Sequence, residues 1–235
     1  MDMKRRYNLN ILSIYRGISL FIIPLLAYSL ALIPPMTFLY FNIKFFSFNI
    51  THVLLFAISL MLSYYILILS LILSSAFFIN VLNLRYEPGK YEQNLNEKTY
   101  LKYNLYFLLY YPTYRTLNFI VSPPVKVFYL KLIGAKIGKN VFLALDELIF
   151  DPCLTEIGDN TIIGSKSMIL GHIGEDKLIL RKTKIGKNCI IGTESLIMPG
   201  VTIEDNVVLG AKSFVTKNKI LKKGGKYAGI PAREI

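Results

Sequence analysis

The sequence predicts a parallel β-helix behind a pair of membrane-spanning helices. Three observations predict it. From Ile137 to Val215 an aliphatic residue recurs at every sixth position, in one series Ile157, Ile163, Ile169 and a second Ile185, Ile191, Ile197, Ile203, Leu209, Val215. A small or β-branched residue follows four positions later: Val141, Thr161, Ser167, Cys189, Ser195, Val201, Val207, Ser213. Ahead of this repeat, 27 residues between Arg16 and Lys44 and 40 between Lys44 and Arg85 carry no formal charge.

The hexapeptide period makes each six residues one short strand and one turn, and three such units close a triangular coil. The aliphatic side chain points into the prism and stacks on its equivalent in the next coil. The small residue also faces inward, near the corner. Gly138, Gly158, Gly164, Gly186, Gly192 and Gly210 follow aliphatic positions, where glycine is expected to relax the bend. A solenoid needs about three stacked repeat units for stability. The two series supply enough for about four coils over 137–235.

A helix crosses a bilayer with about 20 mostly apolar residues. Both uncharged stretches are long enough, which predicts spans near 17–40 and 53–82 within an anchor of residues 1–84. A signal peptide fits less well, because a second, longer span follows the first. Pro24, Pro34 and Pro35 predict an irregular first helix, with an early exit at Ile33 as one outcome. Lys4, Arg5, Arg6 and Arg16 precede the first span and Arg85, Lys90, Lys98 and Lys102 follow the second, against Lys44 alone between them. That asymmetry places both termini and the β-helix on the cytoplasmic side of the plasma membrane.

Residues 85–136 combine tyrosines with basic side chains: Tyr100, Tyr103, Tyr106, Phe107, Tyr110, Tyr111 and Tyr114 among Lys102, Arg115, Lys126 and Lys131. Tyrosine favours the headgroup layer, which predicts interfacial amphipathic helices here. A further span over 100–115 is the rival reading. The formal net charge of +12 divides as +3 in 1–16, +1 in 17–84, +5 in 85–136 and +3 in 137–235. The excess beside the spans suits anionic lipid headgroups. No nucleic-acid recognition module accompanies it. Two cysteines make no disulfide framework. Cys189 occupies a small-residue slot, and the role of Cys153 is open.

The repeat resembles the hexapeptide-repeat, left-handed β-helix acyltransferases. The resemblance rests on IGDNTIIGSKSMILGH (157–172), IGKNCIIGTESLIMPGVTIEDNVVLGAKSFVTKN (185–218) and AGIPAREI (228–235), about the last 80 residues. Met198 and Glu204 stand at glycine positions of the family, and Ile230 where it often has a polar residue. A weaker resemblance, carried by LIGAKIG (132–138), is to the membrane-embedded terminal region of poly-lysine-synthetase-type proteins.

His172 ends an unbroken run of hexads, and residues 173–184 then leave the repeat. The family resemblance implies that this histidine, in ILGH (169–172), is the general base of acyl transfer. Neutral imidazole can take a proton from a hydroxyl or amine near physiological pH. A carboxylate often orients such a histidine, and Asp151 and Asp146 are the candidates. By the same resemblance Gly192 and Thr193 line the pantetheine groove of acetyl-coenzyme A, Ala211 and Thr216 contact it further along, and Lys217 and Arg233 meet its phosphates. The family assembles as trimers with sites between neighbouring prisms. The implied function is acetylation of an acceptor at the membrane, such as a lipid-linked sugar or polar lipid, in a homotrimer without metal. A catalytically inactive trimeric scaffold is the alternative. A zinc site of the carbonic-anhydrase type needs three histidines, and the prism holds His172 alone. Transferases that use sugar nucleotides carry a nucleotide-binding domain ahead of the prism, and none fits here.

Overall fold

The computed structural model describes residues 11–47, 49–119 and 122–235. Lys4, Arg5 and Arg6 lie outside the described residues. Two apolar helices come first, α1 (Ile11–Lys44) and α2 (Ile50–Val81), of 34 and 32 residues. Each is long and apolar enough to cross a membrane. At 1.5 Å per residue they reach about 50 Å, well beyond a hydrocarbon core of about 30 Å. Expected bounds of 17–40 and 53–82 are therefore too short at α1's two ends. The chain also does not exit at Ile33, since α1 runs through Pro24, Pro34 and Pro35.

The neighbouring helix bonds to the backbone of α1. Ser63 and Ser74 of α2 donate to the carbonyls of Pro35 and Ala27, the latter at 2.6 Å. Small residues, Ala27, Ala31, Ser59, Ser63 and Ala76, are buried between the helices, where close backbone approach replaces bulk packing. Asn49 caps α2 by accepting from the His52 amide, and the His52 ring contacts Ser47. His52 thus belongs to the capped first turn of α2.

The β-helix forms from two- and three-residue strands on three faces. The first face stacks β2 (Lys136–Ile137), β5 (Thr155–Ile157), β10 (Thr183–Ile185), β13 (Thr202–Ile203) and β16 (Ile220–Leu221). The second stacks β3 (Phe142–Leu143), β6 (Ile162–Ile163), β11 (Ile190–Ile191), β14 (Val208–Leu209) and β17 (Lys226–Ala228), with β18 (Arg233–Glu234) folded back antiparallel. The third stacks β4 (Leu148–Ile149), β7 (Met168–Ile169), β12 (Leu196–Ile197) and β15 (Phe214–Val215). Ile163, Ile191 and Leu209 pair in register, as the period requires. Four coils are complete, and Leu221 and Tyr227 begin a fifth. The inward aliphatic residues and the small corner residues are buried together.

Glycine plays another part than the bend relaxation expected of it. The positions with left-handed φ are three after the aliphatic residue: Asn140, Asp146, Asn160, Lys166, Asn188, Glu194, Asn206, Lys212 and Asn218, at φ +54° to +61°. Asparagine tolerates this region best among these types, and Asn140, Asn160, Asn188 and Asn206 also bond side chain to side chain up one corner. The glycines instead permit coil-to-coil approach. A Cβ on Gly158 would lie 2.6 Å from the Gly186 carbonyl carbon, and one on Gly192 would lie 2.4 Å from the Ala211 nitrogen.

Residues 85–136 hold α3 (Lys98–Thr116) and α4 (Pro123–Leu132). Their tyrosines do not follow the expectation of a headgroup-facing segment: Tyr106, Tyr110, Tyr114 and Tyr129 are fully buried in protein. The reason lies at the open end of the prism. The carbonyl of each aliphatic position accepts an N–H from the preceding coil, as Gly158 gives to Ile185 and Phe150 to Ile169. Ile149, in the first coil, has no preceding coil, and the Tyr110 hydroxyl donates to it at 2.5 Å. Lys126 likewise donates to the Ala144 carbonyl at 3.0 Å. The two helices cap the solenoid, a role its terminal repeat needs filled.

Glu147 takes the small-residue slot of the first coil and turns its carboxylate to this cap. It accepts from Tyr114 at 2.7 Å and pairs with Lys126 at 2.9 Å, with both partners buried. Burial pushes the Glu147 carboxyl up, while donation from Tyr114 and Lys126 pulls against that. We expect Lys126→Met to cost about 3–5 kcal/mol, because it strands a buried charge. The double change Lys126→Met with Glu147→Leu should recover most of it. Thermal unfolding of the two variants in detergent checks this.

Candidate active site

His172 is placed by a departure from the coil. After β7 the chain leaves the prism, forms the hairpin β8 (His172–Gly174) and β9 (Leu178–Leu180), and rejoins at β10. Burial of Leu178 and Leu180 pins the hairpin, and the Arg181 amide closes it on the Gly171 carbonyl at 2.7 Å. The segment after α2 adds a third strand, β1 (Gly89–Tyr91), antiparallel to β9. The excursion expected from the broken repeat is thus an ordered β-sheet.

Asp151 comes from the coil below. Eight residues rather than six separate Ile149 from Ile157, and the surplus forms a 3-10 turn at Pro152–Leu154 that begins at Asp151. Its carboxylate is fully buried. Oδ2 lies 2.7 Å from His172 Nδ1 and accepts the Gly171 amide at 2.8 Å. A Cβ on Gly171 would sit 2.8 Å from the Asp151 Cβ, so this approach requires glycine. Oδ1 accepts the Tyr86 hydroxyl at 2.7 Å.

The imidazole side chain is 20% exposed. Tyr103 of α3 meets it edge-on at 5.1 Å between centroids, and Phe150 does so at 6.0 Å. With Nδ1 engaged by Asp151, Nε2 is the nitrogen left to exchange a proton. Asp146, the other candidate carboxylate, is exposed at a corner of the first coil with φ +59°.

The expected coenzyme residues fall at separate corners. Thr216 and Lys217 follow β15 and share the corner from which the His172 hairpin springs. Lys217 pairs with Glu175 at the hairpin tip at 2.5 Å. Gly192, Thr193 and Ala211 follow β11 and β14, at the corner between the second and third faces. Arg233 is exposed in β18. Tyr86 carried no signal in the sequence and Tyr103 read as one of the interfacial tyrosines, because neither belongs to the repeat.

Residues 182–217 match the bacterial transferase hexapeptide (six repeats) family. A putative colanic acid biosynthesis acetyltransferase, WcaF, of Escherichia coli K12 is 33% identical over 129 residues, covering 43% of this chain and 71% of that protein. The chain belongs to the hexapeptide-repeat transferases. Its prism is the left-handed parallel β-helix of that family. Galactoside O-acetyltransferase of the same organism is 37% identical over 128 residues, covering 50% of this chain and 60% of that protein. Delta-poly-L-ornithine synthetase of Acinetobacter baumannii is 26% identical over 117 residues, covering 49% of this chain. The match spans 9% of that much longer relative. A solved hexapeptide-repeat acetyltransferase of Vibrio cholerae, complexed with acetyl coenzyme A, is 18% identical, covering 52% of this chain and 83% of that one at a TM-score of 0.42.

Proposed function

We propose that the protein is a membrane-anchored acetyltransferase that moves an acetyl group from acetyl-coenzyme A to a hydroxyl or amine of a membrane-proximal acceptor, such as a lipid-linked sugar. The observation that carries this reading is the His172–Asp151 pair at 2.7 Å, in a chain whose relatives include acetyltransferases. Asp151 holds the Nδ1 proton, so Nε2 of the neutral ring accepts the acceptor's proton as its oxygen or nitrogen attacks the thioester carbonyl. The tetrahedral intermediate collapses, the carbon–sulfur bond breaks, and the same proton passes to the departing thiolate.

Direct transfer suits the cysteines. Burial pushes the Cys153 thiol up to about 12, which keeps it protonated. Cys189 is fully buried in its corner slot and donates to the Glu204 carbonyl at 3.1 Å. Neither is suited to form an acyl-enzyme.

The reading includes a homotrimer. Outward positions of the second and third faces are apolar through the first four coils, Phe142, Ile162, Ile190 and Val208 on one and Leu148, Met168, Leu196 and Phe214 on the other, while the first face carries Lys136, Glu156, Lys184 and Thr202. The incomplete fifth coil reverses this, with Lys226 on the second face and Ile220 on the first. Two apolar faces on one prism fit burial against other copies, and the separated coenzyme residues would then meet across subunits.

The proposal includes a prism on the side that holds acetyl-coenzyme A, a reading supported by the basic residues Arg16, Arg85, Lys90, Lys98 and Lys102 beside the two spans. We expect a cysteine at exposed Ile230 to resist a membrane-impermeant maleimide on intact cells and to react after lysis. Ready labelling on intact cells would place the prism outside. The activity itself is tested by mass spectrometry of membrane lipids and glycans with and without the gene. Loss of one or more acetyl groups from a defined species supports the proposal, and unchanged acetylation opposes it.

A further inference from the structure

We infer that Tyr86 is a positioning residue of this site: its hydroxyl fixes the Asp151 carboxylate that orients His172, so that the segment following the apolar helix pair completes the candidate base. A buried carboxylate is costly unless its oxygens are met by donors. Asp151 meets that requirement with three donors from two pieces of chain. Gly171 and His172 of the hairpin serve Oδ2, and Tyr86 alone serves Oδ1 among the described residues.

Tyr86 is itself tightly placed. It is 4% exposed, and its ring stands edge-on to Tyr103 at 5.7 Å and to Tyr106 at 5.5 Å. Tyr103 in turn contacts the His172 ring. The residues that follow grip the hairpin: β1 pairs with β9, Glu92 pairs with Lys177 at 2.6 Å, and the Gln93 amide donates to the Glu175 carbonyl. One segment therefore holds both members of the pair, the carboxylate through Tyr86 and the imidazole through β1.

The other titratable groups facing Asp151 are Tyr103, Tyr106 and Tyr110 of α3 and Cys153 of the neighbouring turn. Burial is the leading cause that pushes all of them, and Tyr86, upward. They stay neutral across the working range, and the Tyr86 hydroxyl stays a donor. By sharing the charge of Asp151 it weakens the carboxylate's hold on a protonated imidazole. Removing the hydroxyl should leave His172 easier to protonate.

The inference rests on reading His172 as the base, but its test observes the ring rather than turnover. The chain has two histidines, so the full-length protein labelled with 15N-histidine in lipid nanodiscs gives two imidazoles, with His52 as the internal reference. In the wild type we expect the neutral His172 ring to carry its proton on Nδ1. Tyr86→Phe should raise its titration midpoint by about one pH unit and mix the tautomers. Tyr91→Phe, which loses a hydroxyl bonded to the Glu87 carbonyl in the same segment, should change neither. 3-Fluorotyrosine in place of Tyr86 keeps the shape and strengthens the donor, so the midpoint should fall. It carries the test if the phenylalanine variant does not fold. An unchanged midpoint and tautomer in a folded Tyr86 variant would overturn the inference. A shift in a protein that transfers no acetyl group would uphold it and remove only the functional proposal.

Discussion

His172→Ala is expected to lower acetyl transfer by about 10²–10⁴-fold, the usual loss when a positioned general base is removed. The fold should survive. The imidazole lies at the hairpin edge, 20% exposed, while the hairpin is pinned by Leu178, Leu180 and its pairing with β1. The buried carboxylate left behind keeps its bonds from Tyr86 and Gly171. Thioester consumption by membranes containing the variant, measured beside its thermal unfolding, checks both halves. Wild-type turnover in a folded His172→Ala protein would sink the assignment of the base.

Ile191→Asp is expected to abolish the folded prism. Ile191 is 1% exposed and pairs in register with Ile163 below and Leu209 above. A carboxylate there either stays charged at a cost of several kcal/mol or takes up a proton and still lacks partners. Loss of the aliphatic packing adds about 2–5 kcal/mol. A domain has only about 5–15 kcal/mol in total, and a solenoid shares strain with nearest neighbours alone. The control is Lys187→Asp, four residues away at a corner. Its side chain is 61% exposed and pairs with Asp159 at 3.3 Å. Losing an exposed pair costs about 1 kcal/mol or less. Comparable yield and unfolding temperature for the two variants would show that position 191 does not face the interior.

Much of the prism was legible because its physics is periodic. A residue that recurs every six positions and is always aliphatic has one consistent place, inside, and Ile157 to Val215 occupy it without exception. The pattern weakens at the ends, where the coil meets something else. Glu147 fills a slot that elsewhere holds serine, threonine, valine or cysteine, and only Lys126 and Tyr114 explain it. Tyr106, Tyr110 and Tyr114 read as headgroup-facing because composition records amphipathic character and not the partner that satisfies it. Here the partners are the Ile133 carbonyl at the end of α4 and, in the first coil, the Ile149 carbonyl and the Glu147 carboxylate.

By itself the sequence determined the coil, the two apolar helices and the position of His172, each set by local period or by an uninterrupted run of one polarity. It named Asp151 beside Asp146 without separating them, since both precede the histidine by about one coil. Tertiary structure decided between the two by geometry: two surplus residues before Ile157 turn Asp151 inward, while Asp146 stays at an exposed corner. It also brought in Tyr86 and Tyr103, 65 and 69 residues before their partners Asp151 and His172, and moved Gly192, Thr193 and Ala211 to a different corner from His172. Contacts of that kind depend on how separate elements dock. Periodicity cannot encode them, because a repeat fixes what each coil presents to the next and leaves open what is placed against its end.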